Sequence, residues 1–97
     1  MQHAFHPAAM QEYFDAAVYY ESCRTGLGDI FIERVEDAIA QILDAPVRWS
    51  KIEDDVRRCL TRKFPYAILY TVEFDSIFIL AVMHCSRAPG YWRSRRG

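Results

Sequence analysis

The residues able to do chemistry are unevenly spread along this chain. Residues 56–97 hold eight Lys/Arg against two acids, Glu73 and Asp75, whereas residues 1–55 hold four Lys/Arg against eleven acids. The two parts therefore carry +6 and −7, although the formal net charge is only −1. A polarity of this size points to a basic face that meets an acidic partner surface or a nucleic acid. The rival reading is a solvated helix pair beside a basic sheet edge kept from aggregating.

Other constellations carry little chemistry. Glu53-Asp54-Asp55 are consecutive acids in a loop, and with no second ligand cluster they imply no metal. Cys23, Cys59 and Cys85 are odd in number and lack paired spacing, which makes neither a disulfide framework nor a zinc pattern. Cys59 and Cys85 lie in or at the end of strand-like runs, where a reduced thiol acts as a small apolar residue. No cofactor is implied.

These residues need a scaffold, and 97 residues support one domain with one core. The 52% hydrophobic content argues against disorder, and the longest apolar run, Ile77 to Met83, is too short to span a bilayer. The first residues lack the basic start and apolar stretch of a signal peptide, which points to the cytoplasm and away from membranes.

Gln2 to Phe5 suits a short strand, and Pro7 suits a first helical position. From Ala8 to about Arg24 the residues Met10, Tyr13, Phe14, Ala17, Val18 and Tyr20 recur at helical spacing. Gly26 is a natural left-handed stop. Asp29 is placed to cap a second helix, running to about Leu43 with an apolar stripe of Phe31, Val35, Ala38, Ile39 and Ile42. Helices this close in sequence fold back as an antiparallel hairpin. Val47 to Asp55 reads as a linking loop with inward Trp49 and Ile52.

Three strands follow: Val56 to Lys63, Tyr66 to Glu73 and Ile77 to His84. Their short connections require an antiparallel meander. Strict alternation in the last strand places Ile77, Ile79, Ala81 and Met83 on one face and Phe78, Leu80 and Val82 on the other. Both faces are apolar, so both need cover. Helices supply one side; the other is covered by more of this chain or by a partner. The expected fold is α+β, a short N-terminal strand and a helix hairpin packed on a mainly antiparallel sheet.

This order resembles the RelE/ParE superfamily of toxins from bacterial type II toxin–antitoxin pairs, and its ParE-like branch in particular. The likeness rests on Phe5-His6-Pro7-Ala8-Ala9, Tyr19-Tyr20-Glu21, Gly26-Leu27-Gly28, Pro46-x-x-Trp49 and Arg57-Arg58. Phe64-Pro65-Tyr66-Ala67-Ile68-x-Tyr70 and His84-x-x-Arg87-x-Pro89-Gly90-Tyr91-Trp92 complete it. The resemblance spans residues 1–97 nearly throughout. It implies a growth inhibitor neutralised by a cognate antitoxin that lays an acidic-and-apolar segment over the toxin, with operator DNA reached only through the antitoxin.

The superfamily divides by target, and the resemblance implies different residues for each. RelE-like toxins cleave mRNA on the ribosome. That route needs a group to activate the 2′-hydroxyl, cations for the developing phosphorane charge and an acid for the leaving oxygen. Arg62, His84, Arg87 and Tyr91 are the catalytic candidates, with Arg58 beside them. His84 or Tyr91 would move the proton, while Arg62 and Arg87 would clamp phosphate. Two departures oppose this: Ala67 stands where RelE-like enzymes often carry an arginine, and the net charge is slightly negative.

ParE-like toxins inhibit DNA gyrase by binding, through exposed helical and C-terminal surfaces. Arg57, Arg58, Trp92 and Arg93 are the binding candidates on that reading, which the residues favour. A third possibility is a weakly toxic module that binds antitoxin as a co-repressor. Each candidate also has a structural rival: Tyr91 and Trp92 could anchor the chain end to the core, and Arg58 and Arg62 could pair with helix acids.

Overall fold

The computed structural model describes residues 1–96. Strand β1 (Gln2–Phe5) leads into helix α1 (Pro7–Cys23), and α2 (Leu27–Asp44) folds back upon it. Strands β2 (Lys51–Glu53), β3 (Val56–Leu60), β4 (Tyr66–Val72) and β5 (Ser76–His84) follow, and a 3₁₀ turn spans Arg93–Arg96. The sheet order is β1-β5-β4-β3-β2. Strands β2 to β5 form an antiparallel meander, and β1 joins β5 in parallel, Gln2 opposite Ser76 and Phe5 opposite Ile79. The expected α+β class holds.

Pro7 opens α1, where its missing N–H leaves no gap, and the His6 ring accepts from the Ala8 N–H at 3.0 Å. Helix α1 stops earlier than the glycine, at an extended Arg24, and Gly26, with a φ of +88°, is instead the N-cap of α2. Asp29 therefore lies within the first turn of α2 rather than at its cap. A favourable charge near the helix dipole is its contribution there. The Glu21 carboxylate closes the hairpin by accepting from the N–H groups of Gly26 and Gly28, at 3.0 and 3.0 Å.

The apolar stripe of α2 is buried as the spacing predicts, with Phe31, Val35, Ala38, Ile39 and Ile42 all inside. Removing each large one from water contributes about 1.5–3 kcal/mol. Helix α1 behaves differently. It buries Ala9, Tyr13 and Ala16, while Phe14 and Val18 are 62% and 52% exposed and Met10 is exposed beside them. Small residues on the inward face let α1 approach the sheet closely, so the larger apolar side chains are left outside. Met10, Phe14 and Ile32 then line an open apolar groove between the helices.

Residues 47–55 are not all loop: Lys51–Glu53 pairs with β3 as an edge strand too short to show a periodicity. Ile52 is exposed on it, and Trp49 is only half-buried. Strand β3 ends at Leu60, not Lys63, because Lys63 adopts a φ of +71° in the turn toward β4.

The main departure from the sequence reading lies in β5. Leu69 faces Ala81 but Tyr70 faces Ile79, so Leu80 is an extra residue, a β-bulge. Beyond the bulge every side chain changes face. Val82 joins Ile77 and Ile79 in the core under the helices, while Ala81 and Met83 join Leu80 and Phe78 on the opposite side. That second side is covered by the chain's own C-terminal segment, with Trp92 only 3% exposed against it.

Candidate functional site

Glu12 sits at an inward position of α1, on the 9-12-13-16 stripe whose other members are buried. The partner of β5 runs out there: β1 ends opposite Ile79, so the bulge leaves backbone groups on the outer edge without a strand. Two side chains replace the missing strand. The Val82 N–H donates to Glu12 at 3.1 Å, and the Leu80 carbonyl accepts from Arg95 at 3.0 Å. Arg95 also binds Glu12 in a two-pronged pair, both N–H···O distances being 2.9 Å. The Tyr91 hydroxyl donates to the same carboxylate at 2.6 Å.

Burial first, and then this hydrogen bond to Glu12, raises the Tyr91 pKa well above the usual phenol range. The bond to Glu12 likewise holds the Arg95 guanidinium in its charged form. The Arg87 guanidinium lies 3.9 Å from the centre of the Tyr91 ring, a cation–π contact that fixes its position. Around these groups opens a cleft of about 310 Å³, walled by Ala16 and Tyr19 of α1, Tyr66, Val82, His84, Arg87 and Tyr91, with Asp15 at its lip.

His84 ends β5 with its ring edge toward Tyr66, centroids 5.2 Å apart. Its Nδ1 accepts from the Ser86 N–H at 3.0 Å, so the neutral ring carries its proton on Nε2. Three of the catalytic candidates, His84, Arg87 and Tyr91, thus share one cleft. Arg62 does not line it; it is exposed in the turn between β3 and β4.

The binding candidates divide as well. Arg57 donates to the carbonyls of Val47 and Trp49, at 3.2 and 2.7 Å, and so holds the 47–50 loop against β3. Trp92 is in the second core. Arg93 is clamped by Glu53 through N–H···O bonds of 2.7 and 2.6 Å. Arg96 pairs with Asp54 and Asp55. The acidic triplet Glu53-Asp54-Asp55 is therefore the receptor for the arginine tail. Arg58 remains exposed on β3.

Much of the charge polarity seen in the sequence is consumed inside the molecule, as Glu12, Glu53, Asp54 and Asp55 take Arg95, Arg93 and Arg96. Glu12 escaped the sequence reading because a single acid on a helix reads as solvated. Its inward spacing with Ala9, Tyr13 and Ala16 was the available signal. Among the described residues no cluster of His, Cys, Asp or Glu has the geometry of a metal site, and no helix is long and apolar enough to cross a membrane.

The sequence model for the ParE toxin of the parDE type II toxin–antitoxin system matches residues 4–89. The chain belongs to that family. It is a toxin of a type II toxin–antitoxin system, and its family implies an antitoxin partner. Among solved structures it is similar to a chain from the chromosomal ParDE system of P. aeruginosa. The two share 14% identity with a TM-score of 0.62, over 87% of this toxin and 95% of that chain, a likeness of fold. No curated protein matches at a significant level.

With the family in place, the closing motif His84-x-x-Arg87-x-Pro89-Gly90-Tyr91-Trp92 takes on structural meaning. It carries the ParE toxin's chain out of β5, across the cleft and back over the second face of the sheet, where Trp92 is buried. Arg95 and Arg96 lie past the matched residues, yet they complete the network around Glu12 and the acidic turn.

Proposed function

We propose that this toxin inhibits its target by binding rather than by cleaving RNA, and that the target is DNA gyrase. The observation that carries the reading is the Glu12–Arg95–Tyr91 network, through which Arg95, outside the lining of the cleft, is tied to Glu12 and Tyr91 within it. A phosphoryl-transfer site needs unspent cations where the phosphorane charge develops, and a proton-transfer group with a pKa near neutrality. Here Arg95 is neutralised by Glu12, Tyr91 holds its proton more tightly than a free phenol, and two carboxylates, Glu12 and Asp15, line the cleft. Arg87 is the one arginine or lysine in that lining, and among the described residues no carboxylate pairs with it. With Glu12 and Arg95 cancelling each other, a phosphate entering there meets Arg87 offset by Asp15, and so no net positive charge. Inhibition by surface contact needs none of that machinery.

The purified toxin, added to gyrase, ATP and relaxed plasmid, is expected to stop supercoiling and leave linear, gyrase-cleaved DNA. Translating ribosomes carrying mRNA should leave the message intact at the same toxin concentration. In cells lacking antitoxin, thymidine incorporation should fall before methionine incorporation. Supercoiling that continues at saturating toxin sinks the gyrase reading.

One observation favours a ribosome-dependent nuclease instead, the convergence of His84, Arg87 and Tyr91 on one cleft. That alternative requires mRNA cleavage that disappears in His84→Ala while antitoxin binding persists. The antitoxin shields the toxin in either case, and the operator is reached through it.

A further inference from the structure

The two edges of the sheet are guarded unequally. Strand β2 is three residues long, carries Lys51 and Glu53 and pairs with a register shift, all of which discourage a further strand. Strand β1 forms the other edge and reads Gln2-His3-Ala4-Phe5, with no acid, lysine, arginine or proline, and in unbroken register with β5. The N–H groups of Gln2 and His6 donate inward, to the carbonyls of Asp75 and Ile79. Backbone groups alternate along a strand, so those of His3 and Phe5 point out from the sheet. Helix α1 packs over β5 and not beyond β1. Glu12 and Arg95 cap the open stretch of β5, but among the described residues no side chain caps β1 in that way.

We propose that β1 is a homodimerisation edge, pairing antiparallel with β1 of a second copy about a two-fold axis at Ala4. In that register His3 of each copy opposes Phe5 of the other and the two exchange N–H···O bonds, while Ala4 faces Ala4 as the closely spaced, non-hydrogen-bonded pair. Ala4 is exposed and has nothing beyond its Cβ, so it accepts so close an approach. It lies beside Phe78 on the second face of the sheet, and the half-buried Phe78 rings extend an apolar row across the junction. On the helix side His3, already edge-on to Phe5 at 5.7 Å, meets a second phenyl ring. Charge selects the occupant. Strand β1 has no lysine or arginine to attract an acidic antitoxin segment or a nucleic acid, and no acid to attract a basic segment. Two copies with a net charge of only −1 each repel little. The inference does not depend on which target the toxin inhibits. The ladder is short, so the association is reversible and concentration-dependent.

Ala4→Cys tests the register in the full-length toxin, freed of antitoxin and with the exposed thiols removed by Cys23→Ser and Cys85→Ser. A non-hydrogen-bonded pair holds its Cα atoms about 4.5 Å apart, within disulfide range. Mild oxidation should therefore link the Ala4→Cys toxin into dimers at least about tenfold faster than the Gln2→Cys toxin. Gln2 is exposed on the same face, but in this register it lies more than about 7 Å from its symmetry mate. His3→Pro removes an outward N–H from each copy and none from the ladder between β1 and β5. In sedimentation it should weaken self-association about tenfold, with circular dichroism unchanged. If His3→Pro misfolds, the comparison of the two cysteines decides alone. Equal crosslinking at positions 4 and 2, or self-association untouched by a folded His3→Pro, would overturn the proposal. Loss of the dimer in Phe14→Asp but not in His3→Pro would move the interface to the groove between the helices. A toxin that stays monomeric, with the His3 and Phe5 amides protected from exchange only when full-length antitoxin is bound, would give the edge to the antitoxin instead.

Discussion

Glu12 and Arg95, 83 positions apart in the chain, meet in a two-pronged ion pair at 2.9 Å across the open edge of β5. Their side chains are only 18% and 14% exposed, and between them they satisfy the two backbone groups that the Leu80 bulge leaves without a strand. The pair ties the beginning of α1, the middle of the sheet and the end of the chain into one unit.

Removing one member should therefore cost more than a surface ion pair would. Glu12→Ala strands a guanidinium, a tyrosine hydroxyl and the Val82 N–H together, a loss of about 2–3 kcal/mol after allowing for partial exposure. For a chain of this size that lowers Tm by roughly 10–20 °C. The double variant with Arg95→Ala should be less destabilised than the sum of the single ones, because the second removal no longer strands a charge. Thermal melts of the four proteins check this; additive losses would show that the pair is not coupled.

The clamp between Glu53 and the tail should be visible in acid. The hydrogen bond from Arg93 is the first cause holding the Glu53 carboxyl below its ordinary 4.5. A carboxylate with a lowered folded pKa adds stability above its unfolded pKa and loses that contribution as pH falls through the folded value. A carbon-detected titration should place the Glu53 midpoint below 4.5, and Arg93→Ala should move it back up toward that value. An unmoved midpoint would mean the tail does not hold Glu53 in solution.

Alkaline titration probes the core. All six tyrosines have raised pKa values, and burial first among the causes pushes Tyr70 up to about 12. Phenolate absorbance of the folded toxin should appear later than in denaturant, where tyrosines ionise near pH 10. Because the folded state holds these protons more tightly, their contribution is complete below about pH 10 and is lost as pH rises through the folded values. Tyr70 also donates to the Pro46 carbonyl at 2.6 Å, so Tyr70→Phe should cost about 1 kcal/mol in chemical denaturation.

The turn between the helices makes a separate demand. A Cβ at Gly28 would lie 2.7 Å from the Ala17 carbonyl oxygen and 3.0 Å from the Glu21 Cβ. Gly28→Ala should force the hairpin apart and cost about 1–3 kcal/mol, while leaving the α1 and α2 content in circular dichroism unchanged. A neutral substitution would mean that the helices pack farther apart than the structure has them.

The helix hairpin, the three-stranded meander and the family likeness were legible in the residues because each rests on local periodicity, turn chemistry and motif order. Strand β2 was not, since three residues carry no period. The faces of α1 were misjudged for a related reason. Spacing marks a stripe of large apolar residues, but Ala9 and Ala16 are what the sheet accepts at close range, so Met10, Phe14 and Val18 stay outside.

What the sequence determined by itself was the set of elements and their order: Pro7 opening α1, Gly26 turning the chain into α2, the stripe of α2, and the alternation of apolar residues that makes strands. What only the tertiary structure decided was which residues meet. One bulge residue, Leu80, reverses the faces of β5 beyond it, a choice made by sheet register that no local pattern encodes. The bulge in turn exposes two backbone groups whose needs are met by Glu12 and Arg95, from opposite ends of the chain. Acids and arginines that composition divides into two hostile halves thereby become partners, because an ion pair depends on distance in space and not on distance along the chain.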